Sequence, residues 1–555
     1  MSSSLRPGFQ AHQDDKQTAE LHARISQETF DQAVQENIDD FEMTPEEALA
    51  DAITQFEAQG INLNNVVRRV PGAGAEDEPP VLQHVRALQS LVEDLEDDET
   101  LDIQFGGGMM RISFRVCGAE AAIQLSEASA SVRAELQRER GADQKTSCVL
   151  AGHNGGVDAL ISAMLATWRV PSALPPSLEA LALLLMDAEC REQLGVRGVA
   201  VICAVIRNHA VGTPAVLRAA LHAARAAMLI HEHHRQLFVD KGGLLELTLA
   251  AMRGHADDGA TFLAACGALR ATTLADDART RACKGLEHAK AAVEGGALPM
   301  LLAALRSPMR TQASVLAELL ATLSRLTVTD EICSRLARMD ALPLAITELG
   351  NHVTDAAVAK QACFFLANIS GNDQCKASIV SGQGHVLIVQ AMHLHQHNAG
   401  MQTDAVAALG NMALRMPKNS EAIAKAGGLS AIVSALTAHV AYPRMQSKGC
   451  LAVRNLVGRN EENIAPFLEQ GIEQPLRAVM SANLDGPVHN QAKAALRDMH
   501  CSVSLQENFK GEIGSAFILP QGEEHCENHW DKFIETPVAQ EAIRKEMDAL
   551  GIQSE

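Results

Sequence analysis

Apolar residues recur along most of this 555-residue chain in short runs, and each run follows a small or polar turn residue. Eight such junctions are separated by 42, 45, 53, 44, 44, 44 and 43 residues. They lie at Gly156, Gly198, Gly243, Gly296, Asp340, Gly384, Gly428 and Gly471. A period near 44 residues indicates tandem structural repeats.

Each repeat shows the same order of helical patterns. A short helix precedes the turn, a second helix follows it, as at 429–436, and a long third helix follows a polar loop, as at 444–457. Because one such unit cannot bury its apolar face alone, neighbouring units must stack. The pattern therefore predicts an all-α solenoid of about eight three-helix repeats over residues 109–511, with 109–150 as a degenerate first repeat.

The N-terminal region predicts two further helices. Phe30, Val34 and Ile38 form an apolar stripe at helical spacing, and Thr44 to Glu47 has the order of a helix cap followed by a proline and a capping-box glutamate. Residues 24–70 should therefore form an acidic helical hairpin. Two roles are open: the hairpin docks on the solenoid and caps it, or it is a detachable element that binds a partner.

The remaining segments show weaker patterns. Residues 1–23 are predicted to be a disordered tail. Residues 71–108 are predicted to be a flexible acidic linker, because proline, glycine and charged residues dominate 70–80 and an acidic run covers 93–99. The repeat pattern stops after Gly511, and residues 512–555 are predicted to form a C-terminal tail with one helix beginning near Thr536.

Composition and charge narrow the function. The net charge is −21, and residues 1–102 alone carry 23 acidic and 6 basic side chains. Phosphate backbones repel such a surface, so nucleic acid is not expected as a partner. The 12 cysteines are scattered singly, and the longest fully apolar run has eight residues, whereas a membrane span needs about 20. We expect a soluble protein of the cytoplasm or nucleus that does not bind membranes.

Motifs for catalysis or metal binding are not found. The chain has no HExxH, GxxxxGK[ST], GxSxG or GxGxxG pattern. Histidines cluster at 231–234, at 393–397 and, with Cys526, at 525–529, but each cluster is more typical of exposed loop histidines than of a metal site. We therefore expect no enzyme activity, no metal and no cofactor, and keep a metal protein or enzyme as a remote alternative.

A row of asparagines is the best candidate site. Asn368, Asn411 and Asn455 are 43 and 44 residues apart, at the same position of successive third helices. Because an amide both donates and accepts hydrogen bonds, such a row can hold the backbone of an extended peptide. The alternative is that each asparagine bonds the neighbouring helix. The predicted protein-binding groove further includes Arg325 and Asp498, which continue the register, together with Phe364 and Arg454.

The one long interval, of 53 residues, contains an insertion near 276–290. Insertions in repeat arrays emerge as loops, often on the binding face. Its cations Arg279, Arg281 and Lys284 are therefore candidate partner contacts, and the alternative is a solvated loop without a partner.

The glycine–apolar turns and the Leu-x-Asn motif of the third helices resemble the armadillo repeat family. That resemblance implies a right-handed superhelix whose third helices line a concave groove for partner segments. Residues 24–38, Pro45 to Ala48 and Ala492 to Asp498 further resemble the armadillo repeat-containing protein 6 family, which implies an intracellular protein-binding role without a defined catalytic activity.

The chain departs from better-known branches of the armadillo family. Nuclear-import receptors place tryptophan four residues before each groove asparagine, where this chain has Phe364, Ala407 and Leu451. Catenin-like binding of cadherins requires rows of groove cations, of which only Arg325 and Arg454 lie near the asparagine row. The sequence therefore predicts a non-catalytic scaffold or adaptor that holds an extended or helical protein segment. The alternative is a structural subunit that uses its convex face and its caps; the oligomeric state is open.

Overall fold

A computed structural model describes residues 25–41, 43–70, 78–138, 142–209, 212–280, 282–482 and 486–503. These residues contain 27 α-helices and one two-stranded sheet. The prediction of a helical solenoid is confirmed, with the sheet as an addition. The predicted tail at 1–23 and the predicted C-terminal helix within 512–555 lie outside the described residues.

In chain order, the helices are α1 (Gln27–Asp39), α2 (Pro45–Ala58), α3 (Pro80–Glu93), α4 (Ala119–Arg138), α5 (Ala142–His153), α6 (Gly156–Ala166), α7 (Leu174–Leu184), α8 (Ala188–His209), α9 (Pro214–Met228), α10 (Glu232–Gln236), α11 (Leu244–Gly254), α12 (Gly259–Thr272), α13 (Gly285–Glu294), α14 (Ala297–Arg306), α15 (Ala313–Leu326), α16 (Asp330–Arg338), α17 (Ala341–Asn351), α18 (Ala356–Ile369), α19 (Asp373–Ser381), α20 (Gly384–Leu394), α21 (Ala399–Ala413), α22 (Pro417–Lys425), α23 (Gly428–Ala438), α24 (Pro443–Val457), α25 (Ile464–Glu469), α26 (Glu473–Ala482) and α27 (Pro487–Asp498). The strands are β1 (Asp97–Phe105) and β2 (Gly108–Val116). Helix α8 is kinked at Gly195 and supplies two helices of one repeat.

The described helices form nine repeats. Their third helices pack on one another in one continuous series: α4, α7, α9, α12, α15, α18, α21, α24 and α27. Their second helices form a parallel series that begins with α3, α6 and α8 and ends with α23 and α26. Because this order buries an apolar face of every helix against the next repeat, the stack supplies the core that a single repeat lacks.

The first repeat differs from the prediction. It consists of α3 as second helix and α4 as third helix, with the β1–β2 hairpin inserted between them. The prediction of a linker over 71–108 is therefore wrong for 80–108, and so is the prediction of a degenerate repeat over 109–150. Acidic residues dominate the segment, yet Val81, Leu82, Val85 and Leu88 of α3 are buried at helical spacing.

The β-hairpin turns through two glycines and lies on the second helices. Gly106 and Gly107 have φ of 66° and 80°, the left-handed geometry of a two-residue hairpin turn. The side chains of Ile103 and Ile112 are buried, and the strands pack on α6 and α8. The backbone N–H of Gly106 donates to the carbonyl of Lys241 at 2.8 Å, which fixes the hairpin tip to the fourth repeat.

The N-terminal hairpin has a core of its own. Phe30, Val34, Ala48 and Ala52 are buried together with Leu63 and Val66 from the segment that follows α2. The predicted cap is confirmed, since the Thr44 side chain and Glu47 form a capping box at α2. The side-chain amide of Gln27, at the start of α1, joins this helix to the segment after α2. It donates to the carbonyl of Val67 and accepts from the N–H of Val67 at 2.6 Å. Helices α1 and α2 pack on each other, so the hairpin buries its own apolar faces.

In seven of the nine described repeats, a left-handed residue makes the turn before the second helix. Gly155, Gly243, Gly296, Gly427 and Gly471 supply it, with φ between 69° and 96°. In the sixth and seventh repeats Asp340 and Gln383 occupy this position with φ of 60° and 62°. A side chain with a Cβ is strained there, by about 1 kcal/mol.

Replacing Gln383 with glycine should therefore raise the free energy of unfolding by about 1 kcal/mol, because glycine adopts a positive φ without strain. Urea unfolding followed by circular dichroism measures the change. Gln374→Gly is the matched control: Gln374 is exposed within α19, where glycine should lower stability by about 0.5 kcal/mol. Equal shifts of both variants in the same direction would contradict the strain at Gln383.

Candidate functional site

The asparagine row links successive third helices. The Nδ2 of Asn368 donates to the carbonyl of Ser324 at 3.1 Å, and the Nδ2 of Asn411 donates to that of Ala367 at 2.9 Å. The Nδ2 of Asn455 repeats the contact with the carbonyl of Gly410 at 3.0 Å. The bond to a neighbouring helix, which the sequence left as the alternative, is therefore present at all three positions.

The same asparagines keep part of their hydrogen-bonding capacity. All three side chains are half-buried on the third-helix surface, which we define as the exposed faces of α15, α18, α21, α24 and α27. Within the described residues, the Oδ1 atoms of Asn411 and Asn455 accept no hydrogen bond. A carbonyl-like acceptor at a half-buried position can receive a peptide N–H. One turn earlier, Phe364, Ala407 and Leu451 form a half-buried apolar row beside the amides.

Close packing sets the spacing of this surface. A Cβ on Gly410 would lie 2.8 Å from the Cα and Cβ of Ala452, so only glycine lets α21 and α24 approach so closely. That approach brings the carbonyl of Gly410 within reach of Asn455.

Two of the predicted groove residues pair with each other. The Nε of Arg454 donates to Oδ2 of Asp498 at 2.8 Å, and Arg497 contacts the other carboxylate oxygen at 2.9 Å. Burial would raise the pKa of Asp498, but the hydrogen bonds from Arg454 and Arg497 hold it below its usual value. Asp498 is therefore an anion neutralised within the chain, and this pair ends the row rather than extending it.

Arg325, at the other end of the row, has no such partner. Its guanidinium is half-buried on α15 and makes no hydrogen bond or ion pair with any described residue. Burial lowers the pKa of Arg325, and the nearby charges of Arg270 and Arg444 lower it further. Arg270 itself is bound to Glu318.

The sequence analysis missed three further cations on the third-helix surface. Lys360 lies on α18, and Arg444 and Lys448 lie on α24; all are half-buried. They surround the buried Asp404 of α21, whose pKa burial raises to about 6 against the pull of these cations. Arg444 contacts its Oδ1 at 3.8 Å. We call Arg325, Lys360, Arg444 and Lys448 the basic cluster.

Helical spacing could have identified two of these cations. Arg444 and Lys448 lie 11 and 7 residues before Asn455, and both intervals return to the same helix face. The asparagine register and its immediate neighbours do not reveal these cations, so the register alone underestimates the positive charge next to the row.

The insertion loop is tied to the solenoid. Arg279 bonds both oxygens of Asp277 and one of Glu192, and Lys284 pairs with Asp240 at 2.8 Å. Burial would raise the pKa of Asp277, but the hydrogen bonds from Arg279 and from two backbone N–H groups hold it at about 2. Among the described loop residues, these cations are thus neutralised internally; Arg281 lies outside the described residues.

Several described histidines have structural partners, whereas the predicted cluster at 525–529 lies outside the described residues. His395 and His439, each just after a second helix, bond the carbonyls of Val353 and Gln396 in the preceding repeat at 2.8 Å. The rings of His231 and His234 stack at 3.7 Å, and burial lowers the pKa of His234 to about 4. Over the described ranges, no three His, Cys, Asp or Glu side chains form a group suited to a metal ion.

No single helix among the described residues is both long and apolar enough to cross a bilayer. The helices at 146–153 and 156–166, which meet at a sharp bend, reach that length and apolar character only when they are taken together.

Two family models match the chain. The model described as ARMC6 matches residues 120–517, and the model described as Armadillo repeat-containing protein 6 N-terminal domain matches residues 22–81. Armadillo repeat-containing protein 6 of Homo sapiens is 31% identical over 411 residues, which cover 72% of this chain and 76% of that protein. The homolog of Drosophila melanogaster is 29% identical over 413 residues, which cover 73% of this chain and 80% of the homolog.

Solved structures show the same fold. An engineered protein superposes with a TM-score of 0.51 at 18% identity and covers 77% of this chain and 100% of its own. A chain from a structure on the phosphorylation switch that controls the interaction between cadherin and beta-catenin has a TM-score of 0.51 at 15% identity, covering 86% and 81%. At these identities the likeness concerns the fold alone.

Proposed function

The chain belongs to the armadillo repeat-containing protein 6 family, and we propose that it is a non-catalytic scaffold that holds a segment of a partner protein along its third-helix surface. The family and its fold favour protein binding in general. The finer assignment, to one surface and to an extended segment, rests on the residues of α18, α21 and α24.

One observation carries the assignment. Asn411 and Asn455 present amide oxygens without a partner among the described residues, in register with the repeat. An extended polypeptide offers N–H donors at regular intervals. These donors can bond the half-buried amide oxygens in place of water when a peptide covers the surface. The apolar row of Phe364, Ala407 and Leu451 lies beside them and supplies surface for side chains of the bound segment.

Ala407→Trp should remove partner binding while the asparagine bonds stay intact. Ala407 is half-buried one turn before Asn411, so an indole there fills the space above the apolar row. The full chain, tagged and expressed in cells, is captured after cross-linking, and bound proteins are quantified by mass spectrometry. We expect loss of at least about 90% of the specifically bound protein, a tenfold effect on affinity.

Ala377→Trp is the matched control, since Ala377 is exposed on α19, a first helix. It should retain its partners. If Ala407→Trp keeps the same bound proteins as the unmodified chain while Ala377→Trp loses them, binding uses the first-helix side and the assignment to the third-helix surface fails.

A further inference from the structure

Among the described residues, the most buried cationic side chains have ion-pair or hydrogen-bond partners within the chain. Arg235 and Lys376 are 0% and 1% exposed; Arg235 pairs with Glu232, and Lys376 pairs with Asp373. Arg191, 5% exposed, donates to two backbone carbonyls. This agrees with the general cost of burying a charge without a partner.

The basic cluster departs from that rule. Arg325, Lys360 and Lys448 are half-buried and have no hydrogen bond or ion pair with any described residue. Asp404, the carboxyl group beside Lys360, Arg444 and Lys448, forms an ion-pair contact with Arg444 at 3.8 Å. Burial and the charge of Arg444 lower the pKa of Lys448, as expected where positive charges crowd a partly desolvated surface.

The placement of the cluster indicates an elongated anionic ligand. Its members lie on α15, α18 and α24, which belong to the fifth, sixth and eighth repeats. The asparagine row lies on α18, α21 and α24, within the same stretch of repeats. A ligand that meets these cations therefore crosses the amides as it passes from repeat to repeat.

Peptide fits this surface better than nucleic acid. The Oδ1 acceptors of Asn411 and Asn455 require donors, and a phosphodiester backbone has none, whereas a peptide backbone has one N–H at nearly every residue. The chain as a whole carries a net charge of −21, which repels a polyanion as densely charged as DNA. A segment with a few carboxylates spaced along it meets the local cations without that penalty.

We propose, on the basis of the function proposed above, that the partner segment is an acidic peptide whose Asp and Glu side chains pair with Arg325, Lys360 and Lys448 while its backbone lies on the asparagine row. Arginine and lysine then gain charge-assisted hydrogen bonds that the free protein lacks. The basic cluster selects the partner, and the amides hold it without regard to its sequence.

Fluorescence anisotropy of the full chain with two labelled peptides tests the proposal. One peptide has four repeats of Glu-Ser-Asp-Ala; the other has the isosteric amide sequence Gln-Ser-Asn-Ala. The acidic peptide should bind at least about tenfold more tightly, equivalent to about 1.4 kcal/mol. Its affinity should fall as salt increases, because the pairs are only partly buried. Equal affinity of the two peptides, or no acidic-peptide binding, would overturn the proposal.

Charge variants locate the effect. Arg325→Gln/Lys448→Gln should weaken acidic-peptide binding about tenfold or more and leave the amide peptide unchanged. The matched control Arg253→Gln/Lys418→Gln removes the same charge from exposed sites on α11 and α22. The control variant should bind the acidic peptide with an affinity within about twofold of that of the unmodified chain. An equal loss in the control would mean that overall charge, not the cluster, attracts the peptide.

The proposed function can survive failure of this inference. If Ala407→Trp abolishes binding of both peptides while the charge variants bind normally, the surface holds peptides but does not select acidic ones. If Ala407→Trp leaves both peptides bound, the surface assignment itself is wrong. Single-stranded DNA of the same net charge is the third probe, and binding as tight as that of the acidic peptide would exclude the assignment to peptide.

Discussion

Replacing Arg235 with alanine should lower the free energy of unfolding by about 3–5 kcal/mol, the cost of leaving buried carboxylates without their cation. Arg235 is 0% exposed. Its Nε donates to Glu232 at 2.7 Å, and one terminal nitrogen donates to Asp276 at 2.6 Å and to the carbonyl of Met228 at 2.8 Å. Glu232 is 2% exposed, so water cannot replace the lost partner.

The network around Arg235 also holds the insertion. Glu232 accepts from the backbone N–H of Lys284 at 2.9 Å, and Asp277 accepts from the N–H of Glu232 at 2.9 Å. Asp276 accepts from the N–H of Ile230 at 3.2 Å. Loss of Arg235 should therefore increase amide hydrogen exchange first in residues 276–280 and 282–284, before the repeats unfold.

The effect should depend on pH in a defined direction. Burial would raise the pKa of Glu232, but hydrogen bonds from the Lys284 backbone and Arg235 hold it below its usual value. A carboxyl group with a lowered pKa contributes stability above its unfolded-state pKa and loses that contribution as pH falls through the folded value. The difference between the unmodified chain and Arg235→Ala should thus begin to narrow as pH falls below about 4.5, the ordinary value for glutamate, and should keep narrowing until Glu232 is protonated in the folded chain at a lower pH.

Urea unfolding at neutral pH and at pH 4, with hydrogen exchange of the insertion, measures these changes. Arg253→Ala is the control, because Arg253 is exposed on α11 and should change stability by less than about 0.5 kcal/mol. A loss below about 1 kcal/mol in Arg235→Ala would show that the network is not closed as described.

Much of the solenoid could be predicted from the sequence because one local constraint recurs. The turn before the second helix of most repeats needs a left-handed residue, and glycine at Gly243, Gly296 and Gly427 marks that need directly. Asp340 and Gln383 lack this signature, yet the period located their repeats as well. A repeating local constraint therefore gave the positions of the second helices without tertiary information.

The first repeat could not be predicted in this way because an insertion interrupts it. The hairpin nevertheless had a readable signal: Leu101, Ile103 and Phe105 alternate before Gly106 and Gly107, which is typical of a strand that turns through two glycines. Asp98 and Asp102 are on the outward face of the strand, and Asp102 pairs with Arg111 across the strands at 2.8 Å. The average composition of residues 71–108 does not show this alternation of apolar and polar residues, because acidic residues are frequent in the segment.

Side-chain pairing in the candidate site required the structure. Arg454 and Asp498 are 44 residues apart, and their ion pair exists because α24 packs on α27. Arg325 has a similar place in the sequence pattern but forms no hydrogen bond or ion pair with a described acidic side chain. Sequence reasoning treated both arginines alike as groove residues, and only the packing of third helices distinguishes the neutralised cation from the available one.

The asparagine row gives the second large effect. The triple variant Asn368→Ala/Asn411→Ala/Asn455→Ala should lower the free energy of unfolding by about 3 kcal/mol, from three hydrogen bonds worth about 1 kcal/mol each. The accepting carbonyls belong to buried residues of the preceding third helix, Ser324, Ala367 and Gly410. Each bond connects a different pair of repeats, so the losses should be close to additive.

A single position separates bonding from packing. Asn411→Ala should lower the free energy of unfolding by about 1 kcal/mol. Asn411→Asp, which has the same shape, should lower it by about 2–3 kcal/mol, because it directs an anionic acceptor at the carbonyl of Ala367. Asn351→Ala is the control at an exposed helix end and should change stability by less than about 0.5 kcal/mol. Urea unfolding of the unmodified chain and of these three variants measures their relative free energies of unfolding.

These stabilities decide how binding experiments on the row are interpreted. A triple asparagine variant that fails to capture a partner has lost connections between four consecutive third helices, so its failure alone does not show that the amides touch the partner. Ala407→Trp keeps every one of those bonds and obstructs only the surface above them. If the triple variant instead unfolds at the same urea concentration as the unmodified chain, the bonds to the carbonyls contribute nothing, and the row has no structural role that would explain its regular spacing.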